Sequence, residues 1–257
     1  MVKDKTTQID YFRKAQIYNR ICKIVFLCSL VGISIMGFIK DRFYYGIATT
    51  IAIGLLLIVV ILEKVKEEML FKAENIRRRG YFDNSFNTRF NEKSIQGYYD
   101  SDEVSYGMYK MAVNLFENVM YSKEIARRMK TKVCIVNAVL FSIILVCASY
   151  GIARVSFAIP LIQLFLSKEF ILNWYDINKY CMRMEEVYEK MKILFDKKLC
   201  NNSASIKANT AEVIKLYMDY EVNIVDSKIL LDTRIFNRLN ESLMKEWEEI
   251  KDRYQIK

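Results

Sequence analysis

Four apolar runs constrain this chain more than any other feature of its sequence. The first, residues 21–39, is broken only by Lys23 at its mouth, and the second, 47–62, is preceded by Tyr44 and Tyr45. The third, 133–150, holds no charge, and the fourth, 152–166, carries Arg154 near its start and meets Lys168 and Glu169 at its end. A hydrocarbon core of about 30 Å takes roughly 20 residues of helix, within a range of about 17 to 25, so the second run must draw on its flanking tyrosines. An apolar ring with a polar tip suits the headgroup level. Core helices of a soluble bundle are the alternative, but such helices present a polar face, and nothing amphipathic interrupts the first three runs. A cleaved leader fits poorly, because the first run ends in Gly37, Phe38, Ile39 and Lys40 without a small-residue cleavage pattern. The expectation is an all-α polytopic membrane protein with four transmembrane helices and a helical cytoplasmic region.

Composition agrees. A chain of 257 residues with 53% apolar side chains, one proline and eight glycines is neither disordered, nor collagenous, nor a small disulfide scaffold. Its mean hydropathy of +0.05 alongside so many Lys and Glu requires the apolar residues to be bunched. Lys and Arg number six at or before the first run, fourteen between the second and third and sixteen after the fourth, whereas Lys40, Arg42 and Arg154 are the three at the hairpin tips. This bias puts both termini and the long middle segment in the cytoplasm. The net charge of +9 divides into +4 on the N-terminal arm, +3 in the middle segment, +1 at each tip and zero in the tail. Cations that hug the membrane match an anionic leaflet, at about 1 kcal/mol each, and need no DNA or RNA duplex to explain them. The six cysteines, at 22, 28, 134, 147, 181 and 200, have no CxxC spacing, and there is no histidine. Reduced, buried thiols are expected, with no zinc site, no His-dependent triad and no cofactor.

Five segments follow: a cytoplasmic arm at 1–20, a transmembrane hairpin at 21–62, a cytoplasmic helical insert at 63–132, a second hairpin at 133–167 and a helical tail at 168–257. The second span reads on into the cytoplasm through strong helix formers and Glu-to-Lys pairs, ending at Gly80 as a left-handed cap, with Arg77, Arg78 and Arg79 in the last turn where cations suit the dipole. Residues 81–105 read as an irregular loop, aromatic and polar, whose rings could pack on the bundle or stack a nucleotide. A helix resumes near Glu103. Lys123, Arg127 and Lys130 then form one basic stripe below the bilayer, suited to lipid headgroups, with Glu124 and Arg128 paired at i, i+4. Another helix spans 173–198, broken by Asn201, Asn202 and Ser203. Beyond it an apolar stripe through Leu216, Tyr220, Leu239, Leu243, Trp247 and Ile250 must dock on this chain or on a neighbouring subunit.

The order of these parts, together with Tyr98-Tyr99, Asn118, Ser122-Lys123, Arg127-Arg128 and Pro160, resembles the SMODS-associated four-transmembrane pore-forming effectors of bacterial anti-phage (CBASS-type) systems. The likeness covers nearly the whole chain; it departs in a short fourth span and in a Tyr pair where the family pattern has Trp-Tyr. It implies a multi-pass protein of the bacterial inner membrane. Such an effector is activated by a cyclic oligonucleotide from a partner nucleotidyltransferase, assembles as a homo-oligomer, and permeabilises the lipid bilayer so that the infected cell dies. An enzyme is not expected, since no Gly-rich phosphate loop, metal spacing or intramembrane ionisable pair is present.

Polar positions within the spans are Ser29, Ser34, Thr49, Thr50, Asn137, Ser142, Ser156 and Gln163. Asn137, Ser142, Ser156 and Gln163 are the candidates to line a pore, with interhelical hydrogen bonding as the alternative. Pro160 weakens the fourth span and is the candidate gate. A cyclic oligonucleotide needs cations and stacking faces, so Lys123, Arg127, Arg128, Tyr98 and Tyr99 are the candidate ligand contacts. The competing reading is a membrane scaffold that recruits a partner through its cytoplasmic tail.

Overall fold

The computed structural model describes residues 7–36, 39, 41–91, 101, 103–149, 162, 165–166, 168–197 and 199–256. Among them all regular structure is helical. The long elements are α1 (Thr7–Met36), α2 (Arg42–Phe86), α3 (Met108–Ser149), α4 (Asn173–Lys197), α5 (Ser203–Ser227) and α6 (Thr233–Tyr254), with a π-helical turn at Lys168–Leu172 leading into α4. The chain divides into two compact units, Met1–Ala73 with Thr131–Tyr175, and Glu74–Lys130 with Asp176–Lys257.

In the first unit, α1, α2 and α3 supply three helices long and apolar enough to cross a membrane. Ile24 and Val31 of α1, Leu57 and Ile61 of α2, and Ile135 and Val139 of α3 all point outward, and only 17%, 6% and 11% of the three apolar windows is buried within the protein. Apolar side chains facing out are what hydrocarbon rewards and water penalises. The hydroxyls on these helices turn back to their own backbone: Thr49 donates to the Tyr45 carbonyl at 2.9 Å, Thr50 to Gly46 at 3.0 Å, Ser142 to Ala138 at 2.9 Å and Ser29 to Phe26 at 2.7 Å. Each polar group is thereby satisfied without water. Of the fourth run, Ile162, Phe165 and Leu166 are described and helical, and the Phe165 ring lies 5.7 Å from that of Phe141.

The second unit is a helical bundle built around the N-terminal half of α3. Residues 109–120 are buried without interruption, so this stretch is enclosed on every side rather than amphipathic. Phe116 is its centre, with ring centroids of Tyr188, Phe195, Trp247 and Tyr254 at 5.5, 5.2, 5.8 and 5.8 Å. The stripe of the tail docks on this core of the same chain: Leu216 and Tyr220 of α5 and Leu243, Trp247 and Ile250 of α6 are buried in it. Asn202 caps α5, accepting from the Ser205 amide at 2.8 Å, and Asp232 caps α6, accepting from Arg234 at 2.9 Å.

Three local expectations are corrected. Helix α2 does not stop at Gly80, which is buried inside it; the helix runs six residues further to Phe86, and Asn87, at φ 56°, is the left-handed residue past its end. Tyr81 stacks on Tyr217 at 4.9 Å and donates to the Met111 carbonyl at 2.5 Å, so tertiary packing overrides the roughly 1 kcal/mol cost of a helical glycine. Residues 81–86 are therefore helix rather than loop, and α3 begins at Met108, after Gly107 at φ 140° donates its amide to the Ser85 carbonyl at 2.8 Å. Among the thiols, all free, Cys22, Cys147 and Cys181 are buried while Cys28, Cys134 and Cys200 are exposed, Cys28 and Cys134 on apolar helices whose outer faces are lipid-like in character.

Candidate functional site

The basic stripe of α3 lies against α4, and its members differ in their surroundings. Lys123 turns inward: its Nζ sits 3.6 Å from Glu185 and 3.6 Å from the centroid of the Tyr188 ring, with the side chain 12% exposed. An ammonium over an aromatic face is attracted by the ring quadrupole. Burial pushes the Tyr188 phenol up to about 12, which keeps that ring neutral. Arg127 and Arg128 instead stay mostly exposed and reach Glu124 at 3.8 and 3.6 Å. Cys181 of α4 sits among Lys130, Arg127, Glu124 and Glu185, and burial raises its thiol pKa. The surface between α3 and α4 is thus a mixed-charge seam in which two guanidiniums keep exposed donors suited to a phosphate. Tyr98 and Tyr99, the expected stacking faces for a nucleotide's bases, lie outside the described residues.

A second polar centre forms where the sequence suggests only a helix end. Arg77 is buried; its Nη2 donates to both oxygens of Glu221 at 2.6 and 2.8 Å and its Nε to Glu74 at 2.6 Å. Arg78 donates to the same Glu221 carboxylate at 2.8 Å. Burial by itself would weaken the Arg77 cation, yet Glu74, Tyr220 and Glu221 outweigh it and hold the guanidinium well above its ordinary pKa. Burial likewise raises the pKa of Tyr180, whose hydroxyl meets Ser122, and the Tyr180 carbonyl accepts from Asn223 at 3.3 Å. Glu74 at i−3 from Arg77 is visible in the sequence; Glu221 is not, because only folding brings α5 alongside α2.

A third polar group ties α2 to the start of α3. Asn114 is fully buried, accepts from Ser101 at 2.5 Å and donates to Asn84 at 2.8 Å and Ser85 at 3.1 Å. These residues satisfy one another inside the core, as buried polar groups must.

In the first unit, Asn137 donates to the Phe170 carbonyl of the π-helical turn at 3.3 Å, bridging α3 to the segment before α4. A π turn leaves the regular carbonyl ladder, and an amide side chain can take up the carbonyl it releases. Ser142 lies five residues on, about 140° around the helix from Asn137, so the two occupy different faces. It borders a shallow apolar groove of about 570 Å³ along Ala138, Val146 and Cys147. Ser156, Pro160 and Gln163 lie outside the described residues. No protein-family model, curated protein or solved structure matches this chain.

Proposed function

We propose that this protein is a multi-pass effector of the bacterial inner membrane, with both termini cytoplasmic. In this reading it is activated by a cyclic oligonucleotide from a partner nucleotidyltransferase, assembles into homo-oligomers and permeabilises the bilayer as an anti-phage response. The observation that carries the membrane part is the inverted exposure of α1, α2 and α3, apolar outward with hydroxyls bonded to their own backbone. The signalling part draws on the resemblance stated above, and the exposed Arg127 and Arg128 supply cations for a phosphate. Helices α2 and α3 contribute residues to both compact units, so a rearrangement in the packed bundle has a covalent route to the apolar helices. Four spans and a lumen that includes Ser156 and Gln163, gated at Pro160, belong to the same proposal.

The test is reconstitution into dye-loaded liposomes with a panel of cyclic di- and trinucleotides. Release triggered by one of them is the expected result. Stable insertion without release under every nucleotide, with no effect of expression on membrane potential in cells, would overturn the pore.

A further inference from the structure

α5 differs from the other outer helices of the bundle. Its inner face, Val213, Leu216, Tyr220 and Asn223, is buried, but its opposite face carries Ala211, Ile214, Met218, Val222 and Val225, all exposed. Ile214 is 42% exposed and the next three between 56% and 61%. By contrast α4 interleaves its exposed Met182 and Ile193 with Glu185, Glu186 and Glu189, and α6 sets its exposed Phe236 and Met244 among Arg238, Glu241, Lys245, Glu248 and Glu249, so neither carries an uninterrupted apolar stripe. The five apolar positions are spaced three, four, four and three residues apart, so the spacing is symmetric about Met218, with Ala211 answering Val225 and Ile214 answering Val222. It runs about 21 Å along the helix.

The rim of the stripe on the α4 side pairs its charges. Lys190 donates to Glu186 at 2.5 Å, Lys215 acts on Glu186, and Asp219 acts on Lys190. Further along the same rim Asp226 accepts from Lys179 and Arg183, so four cations interleave with three carboxylates; paired charges of both signs, rather than a run of cations, do not select a polyanion or an acidic headgroup. A symmetrically spaced apolar stripe beside a rim carrying both signs is complementary to itself.

We infer that this face docks a second copy of the chain, with Met218 meeting Met218 at the centre of an isologous contact. One helix pair falls short of the roughly 800 Å² per partner typical of a stable soluble interface. The contact therefore depends on both copies sharing one bilayer, where confinement raises their effective concentration. In that respect it rests on the membrane reading above, and it gives the proposed assembly a defined surface.

The experiment uses the full chain in liposomes, with Cys28, Cys134 and Cys200 replaced by Ser and a single Met218→Cys added, oxidised by copper phenanthroline. A disulfide-linked dimer is expected, whereas Ile193→Cys, exposed on α4 away from the stripe, should stay monomeric. Adding Val222→Glu to the Met218→Cys chain should cut the dimer at least tenfold while the helical circular dichroism is unchanged. Cross-linking at Met218 no greater than at Ile193, or undiminished by Val222→Glu, would overturn the docking. Cross-linking is read without dye release, so dimers in vesicles that never leak sink the permeabilising function and leave this contact standing.

Discussion

Arg77 and Glu221 lie 144 residues apart in the chain and meet through two hydrogen bonds of 2.6 and 2.8 Å within the bundle. With Glu74 and Arg78 they form a four-membered charge cluster between α2 and α5, only slightly exposed at its core. Removing Glu221 leaves the guanidiniums of Arg77 and Arg78 with the single carboxylate of Glu74, an uncompensated charge in a mostly buried cluster, so Glu221→Ala should cost about 3–5 kcal/mol. Replacing Arg77, Glu74 and Glu221 together by apolar residues of similar volume should cost far less. Thermal unfolding in detergent compares the two, and equal losses would remove the charge argument.

The aromatic centre gives an uncharged counterpart. Phe116→Ala empties the space between Tyr188, Phe195, Trp247 and Tyr254 and should destabilise the bundle by about 3–5 kcal/mol. Phe116→Leu should recover a large share of that loss. Denaturant titration of the full chain reads the difference.

Lys123 and the two arginines should separate into different phenotypes. Lys123→Met gives up its place over Tyr188 and beside Glu185, at about 0.5–2 kcal/mol of stability. Arg127→Ala with Arg128→Ala should leave the melting temperature within a degree or two but, under the function proposed, weaken binding of whichever cyclic nucleotide triggers dye release at least tenfold. Isothermal titration beside a melting curve checks both, and unchanged nucleotide affinity removes the arginines from the ligand site.

Asp226 supplies a pH signature. It accepts from Lys179 at 2.8 Å and Arg183 at 2.6 Å, and these hydrogen bonds hold its carboxyl below the ordinary 3.8. A depressed folded pKa means that the contribution is complete above the unfolded value and is lost as pH falls through the folded one. Asp226→Asn should therefore be slightly less stable than the natural chain at pH 7, and the gap should close as pH falls below the carboxylate range. A gap that persists in strong acid contradicts the assignment.

Within the apolar helices, Asn137 and Ser142 should also part ways. Asn137→Leu loses the bond to the Phe170 carbonyl and should cost on the order of 0.6 kcal/mol, up to about 1.7. Ser142→Ala should be near neutral, since that hydroxyl bonds only within its own helix. Melting in detergent distinguishes them.

Much of this was legible before folding, and the limits are instructive. The break at residues 201–203 was marked by Asn and Ser, and Asn202 does cap α5; the run of strong helix formers after residue 62 did carry α2 onward. Gly80 misled because a local rule for helix ends competes with packing, and the Tyr81–Tyr217 stack prevails. The Arg triplet misled for the same reason: dipole logic accounts for cations at a helix end, but Arg77 lies mid-helix and faces a carboxylate from α5. Lys123 and Arg127 share a stripe by spacing, while their different burial depends on where α4 places Glu185 and Tyr188.

Apolar length is a property of short windows, and from it the sequence alone marked a helical chain with four apolar runs and a tail face in need of a partner; three of those runs lie on helices long and apolar enough to cross a membrane. Tertiary structure alone decided which side chains supply that partner, why residues 109–120 are enclosed on every side, and that α5 keeps a second apolar face uncovered. The physical reason is range: hydrophobic periodicity acts over a few turns, whereas burial and charge pairing depend on contacts between separate helices, such as Arg77 with Glu221, 144 positions apart.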